Sequence, residues 1–444
     1  MTLRRIPTPP LEDLACAALF AFFSMQGSIP GIAPAAALEM TSSAPTGLNT
    51  IGGIVSQATA NLLILVLILR RPRLLLRSIP KVPWVALLAL LAIASTAWSL
   101  DPALTLRRSI PFALAGLFGL YFTTRFPATR QFAILRLAMI AVALATVFIV
   151  ILAPSIGLDH TPGHTADWQG VFTQKNACGR IMVLASAVIL FGPRTIPARL
   201  AARIAALLLF LFVLIMSGSR GAWMIEAAIL LLALTLFVAR RAGNRIRLIL
   251  AVAAPLAIAL TAAAATFLAP TLMRLLGRDA TLSGRTAIWA QVVHFIGQRP
   301  VMGYGYDAFW RGMQGPSFQI DAAVHFIVEH AHNGFLEICL ELGCTGLALF
   351  LLSWLRAAHQ LWPSWRAGDI PRIAFPLAIL VLIALYDLDE NTLLIYNGLF
   401  WPLYVAALAT IDATARDRHH VQRPGPHGIL SAQPNDQPVL QEAS

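Results

Sequence analysis

Ionisable and imidazole side chains cluster at one point of a chain that has few of them. The stretch VEHAHNGFLE, residues 328–337, places Glu329, His330 and His332 together with the polar Asn333. Only 12% of the sequence is charged, whereas 58% is hydrophobic. Because a histidine can exchange protons near neutral pH, this stretch is a candidate for catalysis or substrate binding. Ordinary polarity at a membrane boundary is the alternative interpretation.

A metal site is a further interpretation of this stretch together with the histidine just before it. The potential ligands are His325, Glu329, His330 and His332. If the segment is helical, His325 and Glu329 share a face, but His330 and His332 point away from each other. No second cluster in the sequence supplies further ligands with the spacing of a metal site. The sequence therefore predicts no metal and no other cofactor.

Two arginines lie in segments that could bind an anion. In SGSRGAW, residues 217–223, Arg220 occupies a turn whose backbone can present several N–H groups. Arg285 follows Ser283, a residue type that caps helix N-termini, at the start of LSGRTAIW. A cation there is unfavourable for the helix itself, but a phosphate would be held by the free amides and the guanidinium together. For Arg220 the alternative is a side chain that reaches the membrane surface.

Two further polar segments interrupt the apolar sequence. WQGVFTQKNACGR brings together three candidate binding residues, Lys175, Asn176 and Arg180. YDLDENTLLIYN places Asp387, Asp389, Glu390 and Asn391 in a short turn. These carboxylates can either balance the arginines or bind the hydroxyl groups of a sugar.

The elements that must position these residues are membrane-spanning helices. Apolar runs near the ~20 residues that a bilayer requires lie at about 12–30, 50–69, 82–100, 107–124, 132–153, 176–193, 198–216, 221–239, 246–269, 334–358, 372–388 and 394–411. Together with a mean hydropathy of +0.72, they predict an all-α, polytopic membrane protein of about twelve spans. A short amphipathic helix after Ser283, with Trp289 and Val292 at helical spacing, is expected along the outer membrane surface.

The distribution of basic residues predicts the orientation. With the N-terminus in the cytoplasm, 23 of the 33 basic residues fall on the inner side, as cytoplasmic loops require. Both termini are then cytoplasmic, and the longest loop, about residues 270–333, is periplasmic. Residues 1–411 form the membrane domain and 412–444 a disordered tail. Since the net charge of +12 is scattered between apolar runs, it does not indicate nucleic-acid binding.

Four motifs in order along the chain resemble the O-antigen ligase and polymerase superfamily of bacterial membrane glycosyltransferases. They are WQGVFTQKNACGR, SGSRGAW, GRTAIW followed by RPVMGYGYDAFW, and HAHNGFLEICLELGCTG, over about residues 168–346. Within the superfamily, the pattern is most similar to the exopolysaccharide polymerases of the succinoglycan type. By motif, the resemblance implies that Arg220, Arg285 and His332 are the functional residues.

The resemblance implies transfer of a glycan from a polyprenyl diphosphate on the outer face of the inner membrane. A diphosphate leaving group needs cations more than a proton donor, and Arg220 and Arg285 can supply them without a metal. His332 is the expected base for the acceptor hydroxyl, with Glu329, His330 and Asn333 in substrate binding. Membrane lipid, a flippase and chain-length regulators are the expected partners. The alternatives are a ligase that transfers glycan to lipid A core, and a solute transporter.

Overall fold

The computed structural model describes residues 10–27, 48–160, 167–193, 200–257, 285–312, 315–325 and 327–422. Its regular elements within these ranges are helices, apart from one isolated antiparallel bridge between Leu158 and Trp168. The predicted all-α class is therefore confirmed.

Nine α-helices of the described chain precede Arg220. They are α1 (Pro10–Ser24), α2 (Leu48–Leu69), α3 (Pro72–Leu76), α4 (Pro83–Ala94), α5 (Pro102–Arg125), α6 (Ala128–Leu152), α7 (Pro154–Gly157), α8 (Lys175–Phe191) and α9 (Leu200–Met216). The later helices are α10 (Arg220–Ala239), α11 (residues 244–257), α12 (Arg285–Gln298), α13 (Ser317–Val324), α14 (Gly334–Ala367), α15 (Ile370–Asp389) and α16 (Phe400–Gln422). Each of the twelve predicted intervals contains helix.

Six helices of the described chain are long and apolar enough to cross a membrane, which makes this a multi-pass membrane protein. They comprise Gly52–Leu69, Pro102–Arg125, Ala128–Leu152, Arg220–Ala239, Gly334–Ala367 and Ile370–Asp389. A seventh crossing is possible where Pro72–Lys81 and Pro83–Ala97 meet at a bend of 103°. The count of twelve spans remains a prediction, as does the periplasmic position of residues 270–333, of which 270–284, 313, 314 and 326 lie outside the described chain.

A large aromatic core joins the first and last parts of the bundle. Trp401 of α16 stacks on Phe112 of α5, with ring centroids 4.1 Å apart, and its indole N–H donates to the Phe112 carbonyl over 2.8 Å. Gly119 of α5 allows close approach to α16, because a Cβ at this position would overlap the backbone of Pro402. The bundle is thus fixed around α5, α15 and α16, and the polar segments extend from one end of it.

A second, smaller core holds α12 against the rest of the protein. Ile288, Val292 and Phe295 on one face of α12 are buried with Tyr304, Phe309, Trp310, Ile320 and Leu340. The apolar face of α12 thus packs on α13, α14 and the 299–310 loop, and the expected position of this helix along the outer membrane surface stays a prediction. Ser283, the predicted N-cap, lies outside the described residues.

The long helix α14 is broken at Gly343, where the backbone enters the left-handed region with φ of 68°. A side chain there would overlap the backbone at Val301. At this break, backbone groups of the 299–310 loop form hydrogen bonds with α14, for example from the Tyr304 N–H to the Leu340 carbonyl at 2.9 Å. The segment RPVMGYGYDAFW is therefore a loop docked on α14, and its Tyr304, Phe309 and Trp310 belong to the smaller core.

The last helix extends beyond the predicted end of the membrane domain. Residues from Asp412 were expected to be disordered, but α16 continues to Gln422. Asp412 is buried, with 2% of its surface exposed, and accepts hydrogen bonds from Arg356 at 2.9 Å and Gln360 at 3.1 Å. This pairing explains why a polar residue can continue the helix. Residues 423–444 lie outside the described chain.

Candidate active site

A single carboxylate, Glu390, connects three segments that are far apart in the sequence. It follows the last residue of α15 and is 7% exposed. Its Oε2 atom lies 3.0 Å from Nε2 of His330 and 3.2 Å from Nδ1 of His332. Its Oε1 atom accepts a hydrogen bond from Nη2 of Arg285 over 3.1 Å. The structure therefore brings together Arg285, His330 and His332, three of the residues that the sequence predicted.

The histidine segment has an extended and turned backbone, and this shape makes the two imidazoles converge. His332 has a positive φ of 48°, and the next residue, Asn333, begins α14 by accepting the Leu336 N–H on its side chain over 3.0 Å. The rings of His330 and His332 have centroids 4.1 Å apart. The expectation that these two histidines point away from each other is therefore wrong. It assumed that residues 330 and 332 are helical, whereas α14 begins at Gly334.

A buried glutamate fixes the peptide between the two histidines. Glu337, in the first turn of α14, is 1% exposed. Its carboxylate accepts the Ala331 N–H over 2.7 Å and the Trp310 indole N–H over 2.6 Å. From the other side, the Ala331 carbonyl accepts the Trp289 indole N–H of α12 over 2.9 Å. The backbone at residue 331 is thus held by α12, α14 and the 299–310 loop at once.

Replacing Glu337 by glutamine should destabilise the protein. The glutamine NH₂ group would face one of the two donors that now bind the carboxylate, so a buried N–H would lose its acceptor at a cost of about 1–3 kcal/mol. The measurement is the thermal unfolding of the purified variant, with Glu329→Gln as the control because Glu329 is exposed. Equal unfolding temperatures for both variants would show that Glu337 does not fix this segment.

Burial and hydrogen bonding act in opposite directions on the pKa values of Glu390 and His330. Burial alone would raise the pKa of the Glu390 carboxyl, but the hydrogen bonds from His330 and His332 outweigh burial and hold this pKa well below its usual range. Burial likewise acts to lower the pKa of His330, while the hydrogen bond to Glu390 and the nearby carboxylates raise it above its usual value. Glu390 is therefore an ionised acceptor toward which both imidazoles can donate.

Arg285 is paired within the protein. It is the first residue of α12, and its guanidinium donates to Asp389 through Nη1 and to Glu390 through Nη2. Of the two roles open to these carboxylates, charge balance for an arginine is the one the structure contains. A guanidinium has five N–H donors, so donors remain for a ligand after these two contacts.

Arg220 differs from Arg285 in its surroundings. It is exposed and begins α10, and within the described part of the chain no hydrogen bond or ion pair occupies its guanidinium. The next residue, Gly221, lies against the site, since a Cβ placed there would be 2.8 Å from Oδ2 of Asp389. The turn therefore brings an unpaired cation to the edge of the Arg285 and Glu390 cluster.

The three predicted binding residues in α8 contact segments next to Arg220 and Glu390. Lys175 forms an ion pair with Asp167 at 2.6 Å, and Asn176 accepts a hydrogen bond from the Ser219 hydroxyl over 3.0 Å. Arg180 is buried and donates to the Asn391 carbonyl over 3.4 Å. In this structure these side chains hold the backbone beside Arg220 and Glu390.

Sequence reasoning missed the two residues that join the site together. Glu390 had been noted only as one of several carboxylates in a turn, and Glu337 had not been considered. A signal for Glu390 was present, because an acidic turn at the end of an apolar helix needs cationic partners. Glu329, predicted in substrate binding, is exposed and does not join the Glu390 cluster.

An apolar groove leads to this site along α10, α14 and α15. It has a volume of about 710 Å³, and its walls are mainly leucine, isoleucine, alanine and tryptophan. Its polar end is formed by Gly221, Trp289, Asn333 and Asp389. Along α15 it extends from Ile373 to Asp389, which is about 24 Å at ~1.5 Å per residue. The groove is therefore long and apolar, and its polar end adjoins the cluster around Glu390 through Asp389, which pairs with Arg285.

Comparison with known proteins finds two kinds of match. The family model described as O-antigen ligase matches residues 205–351, a segment that contains Arg220, Arg285, His330 and His332 but not Glu390. The exopolysaccharide production protein ExoQ of Rhizobium meliloti (strain 1021) is 28% identical over 284 residues, which are 61% of this chain and 62% of that protein. A protein of Rickettsia prowazekii (strain Madrid E) whose name describes a polysaccharide ligase is 41% identical over 70 residues, 15% of this chain and 17% of that protein.

The chain thus spans less than two thirds of the length of the curated relatives it matches. These matches confirm the resemblance to the O-antigen ligase superfamily that the four sequence motifs indicated.

Proposed function

We propose that this chain, similar to the O-antigen ligase superfamily, is a membrane glycosyltransferase that polymerises polyprenyl-diphosphate-linked oligosaccharide repeat units into exopolysaccharide. The observation that carries this proposal is the apolar groove whose polar end includes Asp389, the carboxylate that pairs with Arg285 beside Glu390 and the two histidines. A substrate with a long hydrocarbon chain, an anionic head and a sugar fits these three environments in that order. The name of the Rhizobium relative, an exopolysaccharide production protein, supports the same product class.

The donor lipid enters the groove with its diphosphate at the polar end. Arg220 precedes Gly221, which lines that end. It is exposed and has no partner among the described side chains, so its guanidinium can bind phosphate oxygens in a bidentate way. Arg285, with donors left beyond its contacts to Asp389 and Glu390, adds to the binding of the leaving group. Two guanidinium groups stabilise the charge that develops on the departing diphosphate.

His332 activates the acceptor hydroxyl. With Nδ1–H donated to Glu390, the lone pair of the neutral imidazole lies on Nε2. The hydroxyl oxygen attacks the anomeric carbon, the bond from that carbon to the diphosphate oxygen breaks, and Nε2 takes the hydroxyl proton. Glu390 stabilises the imidazolium that results, in the way the aspartate of a Ser-His-Asp triad orients and stabilises its histidine. The proton then passes to water, and the lipid diphosphate leaves through the groove.

The orientation and partners of the chain follow from this chemistry. Nucleotide sugars are absent outside the cytoplasm, so a lipid-linked donor is needed if the site faces the periplasm. The bias of basic residues toward one side supports that orientation, with both termini in the cytoplasm of a bacterial inner membrane. A flippase that delivers the donor and chain-length regulators are the partners this arrangement requires.

A ligase that transfers finished glycan to lipid A core is the second candidate. The description of the matching family model and the name of the Rickettsia relative favour it. Donor, groove and cationic cluster would be the same, and only the acceptor would differ. A solute transporter fits less well, because the charged residues of the site lie at helix ends and not at the middle of broken spanning helices.

Purified protein in lipid nanodiscs should extend polyprenyl-diphosphate-linked repeat units in the presence of EDTA. Because guanidinium groups take the role that a metal ion has in many transferases, chelation should not lower the rate. Products are resolved by gel electrophoresis and mass spectrometry after release from the lipid. Chains of two or more repeats identify a polymerase, whereas a single glycan joined to added lipid A core identifies a ligase. Exchange of solute without a covalent product would refute both, and loss of activity with EDTA would refute the metal-free mechanism.

A further inference from the structure

We propose that His330, His332 and Glu390 form an inhibitory binding site for Zn²⁺ or a similar transition-metal ion. The three side chains offer one donor atom each, and these atoms lie within 4.8 Å of one another. The reaction proposed above does not use a metal. Binding of the ion is independent of that proposed function, and only the inhibition rests on it.

The separations of the donor atoms suit a tetrahedral ion. Bonds of about 2.0–2.2 Å at tetrahedral angles place neighbouring ligand atoms about 3.3 Å apart. The observed distances to Glu390 Oε2 are 3.0 Å from His330 Nε2 and 3.2 Å from His332 Nδ1. Small shifts of the side chains would therefore let an ion replace the hydrogen atoms that now bridge them.

The ligand types and their supports also match such an ion. Two imidazoles and one carboxylate, with a fourth position open to water, are a common ligand set for zinc. The second carboxylate oxygen of Glu390 is held by Arg285 at 3.1 Å, which orients the ligand as outer contacts do in metal sites.

An ion at this position would disable the base. Zn²⁺ bound to Nδ1 of His332 takes that nitrogen's lone pair, and the Nδ1 proton moves through water to Nε2. The ring stays neutral and no proton is lost, but Nε2 then carries a hydrogen and cannot accept one from the acceptor hydroxyl. The ion also occupies the Glu390 oxygen that orients the imidazole. Metal binding and base catalysis therefore exclude each other at the same histidine.

The test measures metal binding without any lipid or glycan. Full-length protein without a histidine tag, with His419 and His420 replaced by glutamine in every sample, is titrated with Co²⁺ and the visible absorption of tetrahedral cobalt is recorded. Zn²⁺ stoichiometry is measured by equilibrium dialysis. His330→Gln removes one ligand, and His325→Gln is the matched control because His325 is exposed and outside the cluster. X-ray absorption of the zinc-loaded protein identifies the ligands of the ion and needs no further substitution.

We expect one ion per chain, with two imidazole ligands, in the parent protein and in His325→Gln. The affinity of His330→Gln should fall at least about tenfold, since loss of even an outer contact costs about 10–100-fold. Equal affinity in His330→Gln, or an absorption spectrum without imidazole ligands, would overturn the proposal. With lipid-linked substrate, Zn²⁺ should stop transfer and EDTA should restore it. Saturable binding at these ligands without inhibition would retain the site and instead contradict His332 as the base.

Discussion

Arg220→Ala should lower kcat/KM for the lipid-linked donor by about 10²–10³-fold, the loss typical when one donor to a developing oxyanion is removed. Arg220 is exposed and has no partner among the described residues. Its removal therefore leaves no buried charge unpaired, and the protein should reach the membrane at normal levels. Loss of function without loss of protein is the expected pattern for a residue that binds substrate.

Lysine should replace Arg220 poorly. An ammonium group is a compact, strongly hydrated charge, whereas a planar guanidinium can bind two phosphate oxygens at once. The matched control is Arg240→Ala, because Arg240 is also exposed and lies at the opposite end of the same helix, α10. Donor binding and turnover are measured separately on purified protein. Unchanged donor affinity and turnover in both Arg220 variants would refute the role of Arg220 in binding the diphosphate.

His332→Ala should reduce turnover by about 10²–10⁴-fold, the usual contribution of a general base, while donor affinity stays close to that of the parent protein. In the proposed mechanism arginines bind the phosphates, so removal of the imidazole should affect the proton transfer and not the binding step. The measurement is single-turnover transfer from lipid-linked repeat units, with donor affinity determined in parallel.

Glu390→Gln tests whether the imidazole depends on its carboxylate. The amide keeps the size of the side chain but removes the negative charge that His332 Nδ1 and Arg285 contact. Turnover should fall, with donor affinity less affected.

For His332→Ala, the control is His325→Ala, which removes an exposed histidine from the same segment. If His332→Ala turns over normally, or fails only because the donor no longer binds, His332 is not the base.

Local sequence patterns predicted the helices and part of the site. Apolar runs of the right length fixed the intervals in which helices occur, and the residue types of Arg220, Arg285 and His332 identified them as candidates before any geometry was known. The helix prediction succeeded because helix length and apolarity are properties of neighbouring residues, whereas the roles of the three candidate residues stay predictions.

Contacts between distant segments were not predictable in the same way. Glu390, His332 and Arg285 lie in three separate segments of the sequence. Only the packing of α12, α14 and α15 brings these side chains together. The convergence of His330 and His332 depends on a backbone with positive φ at residue 332, a conformation that a non-glycine residue rarely adopts. Helical periodicity therefore gave the opposite arrangement for this pair.

The groove is lined by several side chains that also face outward. Met224, Trp362 and Leu388 line it and are 44%, 43% and 49% exposed. On a spanning surface such exposure is to lipid, so a long hydrocarbon chain can pass between bilayer and groove without crossing water. Encounter with the donor is then a two-dimensional diffusion problem. Saturation should follow the mole fraction of donor in the membrane, and diluting the vesicles in buffer at fixed lipid composition should leave the initial rate per enzyme unchanged.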